Sequence, residues 1–245
     1  MIALPGCAIG IMTKTPRAGE SKTRLCPPLT PEQAAILSGA FLRDTTENIL
    51  AAARSVSIAG YAAYAPRGSE PLLRPSLADG VGCLLADGSI PVPANVVALG
   101  RCLLHAMQAM FALGHSAACV LSADTPTLPT AILATAAELL LSDAERRIVF
   151  GACEDGGYYL LGTRQVHAGL FADIPWSTEG VADATRRRAK SLGLELVEMP
   201  LWYDVDDPVA LLRTLRDVDG YAAPWSKAAI RAIDPGRSLM TLGTV

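Results

Sequence analysis

The sequence is poor in aromatic residues, in histidine and in net charge. Phe, Trp and Tyr together make up 5% of its 245 residues, and there are three histidines. Low aromatic content beside abundant Ala and Leu favours helices packed on a sheet over a β-sandwich. A formal charge of −3 and a pI near 5.6 exclude a general nucleic-acid binder. No apolar run reaches the roughly 18 residues of a membrane span. The apolar start, MIALPGCAIGIM, has no early positive charge, which argues against a secretory signal. Its LPGC loosely resembles a lipoprotein cleavage site but lacks the basic region that such a site follows. The expected compartment is the cytoplasm, with no membrane and no nucleic-acid partner. Six cysteines stand at 7, 26, 83, 102, 119 and 153, with no C-x-x-C among them. That excludes a zinc site or redox pair by motif and leaves reduced, mostly buried thiols.

What is present is apolar material in quantity, 51% of the chain, enough for one large α/β domain. Residues 8–12 (AIGIM) read as a first buried strand. Thr30, Pro31 and Gln33 then spell a helix start with a capping box, and apolar residues recur at helical spacing to Ala53. Strand patterns follow in SVSIAGYAAY, AACVLSA, RIVFGA, YYLLGT and LELVEMP. Helical patterns occupy ALGRCLLHAMQAMFALG, LPTAILATAAELLLSD, TEGVADATRRRAKSLG and DDPVALLRTLRD. The order implies a three-layer α/β/α sandwich with a mostly parallel sheet. The tail from Gly220 has little periodicity and is expected to wrap the surface.

Ligands of such sheets sit beyond the carboxyl ends of the strands, and the loops there carry the chemistry. KTPRAGESKTRL, residues 14–25, places Lys14, Arg17, Lys22 and Arg24 directly after a strand. Clustered Arg and Lys suit phosphate oxygens, and Gly19 would let backbone approach them. A solvated basic loop is an equal reading of the spacing. A P-loop is excluded, because Ser21 and Pro16 stand where its glycines belong. In SADTPTLP, Asp124 ends a strand and could hold Mg²⁺ or cap a turn. In CEDGGYYLLG, Glu154 and Asp155 precede Gly156, Gly157 and Tyr158, which makes a hairpin turn, a substrate loop, or both. In WYDVDDP, Asp204 and Asp206 alternate and should point the same way, while Asp207 reads as a helix cap. GHSAA is not a nucleophile elbow, since it precedes a strand. Asp44 is expected to be an exposed helical carboxylate, Arg186–Arg188 a solvated helix face, and His105, His115 and His167 surface residues.

Together these loops resemble GT-A-fold nucleotidyltransferases and glycosyltransferases, most nearly a family of small bacterial glycosyltransferase-like proteins. The likeness covers about residues 8–216, through KTPRAGESKTRL, SADTPTLP, EDGGYYLLG, IPWST and YDVDDP. Lys22–Leu25 is also similar to the matching element of 2-phospho-L-lactate guanylyltransferase, and ADTPTLP and DVDDP to segments of that enzyme and of molybdenum-cofactor guanylyltransferases. The resemblance implies one GT-A, Rossmann-like domain spanning residues 1–245, with residues 217–245 as a C-terminal extension. It implies a nucleotide site at Lys14, Arg17, Gly19, Lys22, Thr23 and Arg24, with Mg²⁺ (or Mn²⁺) on Asp124 and Asp206. Glu154, Asp155, Gly156, Gly157 and Tyr158 would meet a small-molecule acceptor, and Lys22, Arg24 and Asp155 would act in catalysis. The implied function is Mg²⁺-dependent nucleotidyl transfer from a nucleoside triphosphate, with release of pyrophosphate. The alternatives are transfer from a nucleotide-diphosphate sugar and a nucleotide-binding module without turnover. The oligomeric state stays open, a homodimer included. Ala98 departs from the family, which has an acidic residue there; SADT has a single Asp rather than D-x-D.

Overall fold

The computed structural model describes residues 6–142 and 145–234. Its sheet has seven strands: β1 (Cys7–Lys14), β2 (Ile58–Ala65), β3 (Gly82–Leu85), β4 (Ala117–Ser122), β5 (Arg147–Ala152), β6 (Tyr158–Thr163) and β7 (Glu195–Glu198). They lie in the order β3-β2-β1-β4-β6-β5-β7. All neighbours run parallel except β6, which is antiparallel to both β4 and β5. β1 is an interior strand, between β2 and β4, and Cys7, Ala8, Ile9 and Ile11 are wholly buried. A strand covered on both faces needs such an unbroken apolar run.

Helix α1 (Pro31–Ala52) starts on the expected capping box. Thr30 Oγ1 accepts from Gln33 N at 3.3 Å, and Gln33 Oε1 accepts from Thr30 N at 2.9 Å. α2 (Glu70–Leu73) is a single turn. α3 (Leu99–Ala112), α4 (Thr130–Leu141), α5 (Val181–Ser191), α6 (Pro208–Arg216) and α7 (Pro224–Ile233) follow. α1 and α4 bury Leu42, Ile49, Leu133 and Leu140 against one face of the sheet. α3 and α5 bury Leu104, Met107, Met110 and Ala189 against the other, so the α/β/α layering is as expected. α3 comes close over β1 because Gly10 has no side chain; a Cβ there would stand 3.0 Å from Met110 Sδ.

From β1 the chain builds β2 and β3 on one side, then crosses through α3 to β4 on the other. The direction of strand addition therefore reverses between β1 and β4. A crevice opens at the carboxyl ends of two strands at such a point. A third apolar cluster fixes what surrounds it. Leu25, at the end of the basic segment, packs with Leu37 and Phe41 of α1, with Tyr203 and Val205, and with Leu211 and Leu212 of α6. Segments distant in sequence are thus held to one another beside the crevice.

Five expectations are corrected. The residues after Gly220 do not merely wrap the surface. Pro224–Ile233 form α7, packed on α1 and α6; residues 235–245 of the expected extension lie outside the described residues. Asp44 is fully buried rather than exposed. It caps α7, accepting from Trp225 N at 3.1 Å and from Ser226 N and Oγ at 2.6 and 2.5 Å. His115 is also buried, with Nε2 2.8 Å from Tyr61 Oη, and burial lowers its pKa. His105 is only partly exposed and faces Asp87 at 3.4 Å. The Arg186–Arg188 run is a paired face rather than a solvated one at its two ends. Arg186 meets Glu198 and Asp183, and Arg188 meets Asp173.

Candidate functional site

A cleft of about 1220 Å³ opens over the carboxyl ends of β1 and β4. Its floor is Met12 and Thr13 from β1, and Val120 to Ser122 from β4. The basic segment forms one wall. Its first half is a folded turn: Glu20 N and Ser21 N donate to Arg17 O at 3.2 and 3.1 Å. Buried Ser21 ties it down, its hydroxyl donating to Thr15 O at 3.2 Å and accepting from Arg17 N at 3.1 Å. Lys22 follows in a left-handed conformation (φ 51, ψ 39), and Thr23–Leu25 make one tight turn that buries Leu25.

This geometry sends the Lys22 side chain inward. Its Nζ lies 2.7 Å from Asp124 Oδ1 and 3.0 Å from Asp206 Oδ1, and donates to Val205 O at 2.8 Å. It also stands 5.3 Å from the centre of the Phe41 ring. Arg24 Nη1 meets the other oxygen of Asp206 at 2.8 Å. The two aspartates stand far apart in sequence, at positions 124 and 206, and the backbone aligns them. Val205 N donates to Asp124 O at 2.8 Å, which sets residues 204–206 beside the end of β4.

Asp204 and Asp155 complete an acidic group. Ligand atoms of Asp155, Asp204 and Cys153 lie within 4.8 Å of one another. Burial first, and then the charges of Asp155, Asp206 and Asp124, raise the Asp204 carboxyl to about 6. Asp206 is partly buried, which would raise its carboxyl, but Lys22 and Arg24 outweigh that and hold it below the usual range. Burial and the surrounding aspartates push the Cys153 thiol upward, so it stays protonated. The donors that remain are carboxylate oxygens, the set that hard divalent cations select. The Lys22 ammonium between Asp124 and Asp206 is a stand-in for such a cation, so the residues fit one.

Of the sequence-predicted residues, Lys14, Lys22, Thr23, Arg24, Asp124, Asp155, Gly157, Tyr158 and Asp206 line the cleft. Arg17 and Gly19 are exposed on the outer side of the basic segment. Glu154 does not share the cleft. It turns outward into a fork with Arg213, at 2.7 and 3.1 Å, and that guanidinium lies 3.8 Å from the Tyr203 ring centre. Gly156 (φ +87) lies beneath the 176–180 loop, where its carbonyl accepts from Ala182 N at 2.9 Å. Cys153–Gly157 is indeed a β5–β6 hairpin turn, with Cys153 N donating to Gly157 O at 3.0 Å.

Sequence reasoning paired Asp204 with Asp206 as carboxylates that suggest a cation but left it out of the metal set, and it assigned no role to Trp176–Val181, which form the cleft wall opposite the basic segment. For Asp204 the signal was its alternation with Asp206. For the loop it was only the IPWST stretch, which carries no diagnostic chemistry. Leu99 and Cys102 of α3 also line the cleft. Ala98, just before them, is a non-glycine residue at φ 47, ψ −127.

A mixed seven-stranded sheet with helices on both faces and a cleft at the β1/β4 reversal is the GT-A-like fold of nucleotidyl and sugar transferases. Among solved structures, one from Desulfovibrio desulfuricans G20, assigned as a nucleotide-diphospho-sugar transferase, is 24% identical. It superimposes with a TM-score of 0.78, over 96% of this chain and 97% of that one. A cytidylyltransferase from Leptospira borgpetersenii is 14% identical, with a TM-score of 0.53 and 99% of each chain covered. CMP:2-keto-3-deoxy-manno-octonic acid synthetase, solved with CTP, is 12% identical. Its TM-score is 0.52, over 85% of this chain and 96% of that one. No curated protein matches the chain in sequence. The chain belongs to the family described as "Uncharacterized protein conserved in bacteria (DUF2064)", which matches residues 52–178.

Proposed function

We propose that this protein is a Mg²⁺-dependent nucleotidyltransferase. One observation carries the reading: a single nitrogen, Lys22 Nζ, touches both Asp124 and Asp206. The cations that suit phosphate oxygens and the carboxylates that suit a divalent ion therefore meet at one point of the cleft. The fold, shared with a cytidylyltransferase and a CTP-bound synthetase, supports it.

In this reading the triphosphate lies along the basic wall. Lys14, Lys22 and Arg24 neutralise its oxygens, with Thr23 beside them. Asp124 and Asp206, with Asp204 next to them, hold the metal, which when bound draws charge from the phosphate oxygens. An oxygen of a small acceptor attacks the α-phosphorus, the bond to the β-phosphate breaks, and pyrophosphate leaves. Such chemistry depends on position and charge neutralisation more than on covalent help from the protein. Asp155, Gly157 and Tyr158 face the acceptor side, and Asp155 is placed to orient the attacking group. Glu154 takes no part.

A second reading is transfer from a nucleotide-diphosphate sugar, favoured by the extent of the Desulfovibrio likeness. A thermal-shift panel separates the two. A ligand at a hundred times its Kd stabilises the native state by about 2.7 kcal/mol. Stabilisation by one nucleoside triphosphate with Mg²⁺, with UDP-, GDP- and ADP-sugars inert, supports nucleotidyl transfer. Stabilisation by sugar nucleotides alone selects the second reading. No shift with either class overturns both.

A further inference from the structure

Lys22 belongs to the nucleotide wall in the reading above, yet it points away from where phosphates would lie and into the carboxylates. Its side chain is 7% exposed. Every strong contact of its ammonium is anionic or electron-rich: Asp124, Asp206, the Val205 carbonyl and the Phe41 ring. The backbone bends into the left-handed region at Lys22 to deliver it, a conformation that costs a non-glycine residue free energy. The neighbouring cation Arg24 reaches only the outer oxygen of Asp206, and its side chain is 66% exposed.

We propose that Lys22 is a tethered counter-ion which keeps divalent cations off Asp124 and Asp206 until nucleotide arrives. This rests on the assignment of those carboxylates to the metal. An ion approaching the empty cleft competes with an ammonium already bound on three sides. Removing that ammonium leaves it without acceptors of equal quality nearby. A triphosphate supplies them. Its oxygens receive Lys22, and the freed carboxylates receive the metal that travels with the phosphates. The carboxylates exchange a monovalent cation for a divalent one, the added charge is offset by the phosphates, and the displaced ammonium keeps an anionic partner. Metal and nucleotide binding are then positively coupled through one side chain, and by linkage the coupling is reciprocal. The same device suppresses idle metal occupancy of an unliganded enzyme.

The test is Mn²⁺ binding to the full chain without nucleotide, read as the loss of free-ion signal in electron paramagnetic resonance. Lys22→Met keeps an alkyl stem over Phe41 and removes the charge. Lys22→Gln is the second variant, should the first fail to fold by circular dichroism. Both should bind Mn²⁺ about ten- to a hundredfold more tightly than the parent, the range of one charge-assisted contact. Arg24→Met, which removes one charge from the same Asp206 without vacating the position between the aspartates, should gain several-fold less. Adding a nucleoside triphosphate should tighten Mn²⁺ binding in the parent and narrow its gap to Lys22→Met. Equal Mn²⁺ affinity in the parent and both Lys22 variants, lost on Asp124→Asn, overturns the counter-ion role while leaving the metal site intact. Absence of Mn²⁺ binding at these carboxylates in every variant, even with triphosphate present, overturns the metal assignment itself. A gain in Arg24→Met equal to that in Lys22→Met reduces the effect to net charge and also overturns the proposal.

Discussion

Gly156 and Gly157 are adjacent, yet replacing each with alanine should have very different consequences. Gly156 sits at φ +87, and a Cβ on it would stand 2.2 Å from Glu179 O and 2.8 Å from Glu179 Cα. Those are backbone atoms, so no side-chain rotation relieves the overlap. The left-handed conformation costs an L-residue about 1–2 kcal/mol. Relief of the overlap adds about 1–3 kcal/mol. Separating the hairpin from the 176–180 loop also stretches the Ala182 N to Gly156 O bond, 2.9 Å long, worth about 1 kcal/mol. The total for Gly156→Ala is about 3–6 kcal/mol, or a melting temperature lower by roughly 6–24 °C in a domain of this size. A Cβ on Gly157 would meet only the Asp155 carboxylate, at 3.1 Å, and that side chain can swing aside. Gly157→Ala should therefore cost less than about 1 kcal/mol. Thermal melts by circular dichroism compare the two directly. A Gly156→Ala melt within about 2 °C of the parent, or equal losses in both variants, refutes the claim that the hairpin is locked beneath this loop.

Asp44→Ala strips the cap from α7 and leaves two backbone donors and a hydroxyl unpaired. The expected loss is about 2–4 kcal/mol, seen as a lower melting temperature that Asp44→Asn partly restores; an unchanged melt contradicts the cap. Asp204 gives a pH dependence. Its carboxyl stands at about 6 in the fold against an ordinary 3.8, so the native state holds that proton more tightly than the unfolded chain does. The stability this contributes is complete below pH 4 and is lost as the pH rises through about 6. Asp204→Asn should then melt higher than the parent at pH 8, by about 1 kcal/mol once solvent screening is allowed for, and equally at pH 4. A variant less stable at pH 8 reverses the sign and refutes the claim that burial and the neighbouring aspartates penalise the Asp204 charge.

Much of the fold was legible because its signals are local. The α1 capping box lies within four residues, and β1 is an uninterrupted apolar run. The turn at Cys153–Gly157 was readable from its glycines, and it also fixes β6 as antiparallel to β5. What was not legible depends on partners far along the chain. α7 is short and starts after the irregular stretch GYAA; its stabilising cap comes from Asp44, in the first helix. His115 looks like a surface residue until Tyr61 closes over it. The basic segment was read by its surplus of positive charge, with only Glu20 to oppose it. Its real counter-charges are Asp124 and Asp206, which only the sheet order brings near. Glu154 and Asp155 are neighbours in sequence, but the hairpin turn points them apart, and the partner of Glu154 comes from α6.

The central claim is that phosphates and a divalent ion meet at the β1/β4 cleft, on the basic segment and on Asp124 and Asp206. A crystal structure of the full chain with Mn²⁺ and a slowly hydrolysed triphosphate analogue tests it most directly, because manganese is located by its anomalous scattering. The account predicts one anomalous peak in contact with Asp124 and Asp206, phosphates against Arg24 and Thr23, and Lys22 Nζ withdrawn from between the carboxylates onto a phosphate oxygen. Bound nucleotide whose phosphates lie away from the basic segment, or manganese bound elsewhere while Asp124 and Asp206 keep Lys22, would contradict it.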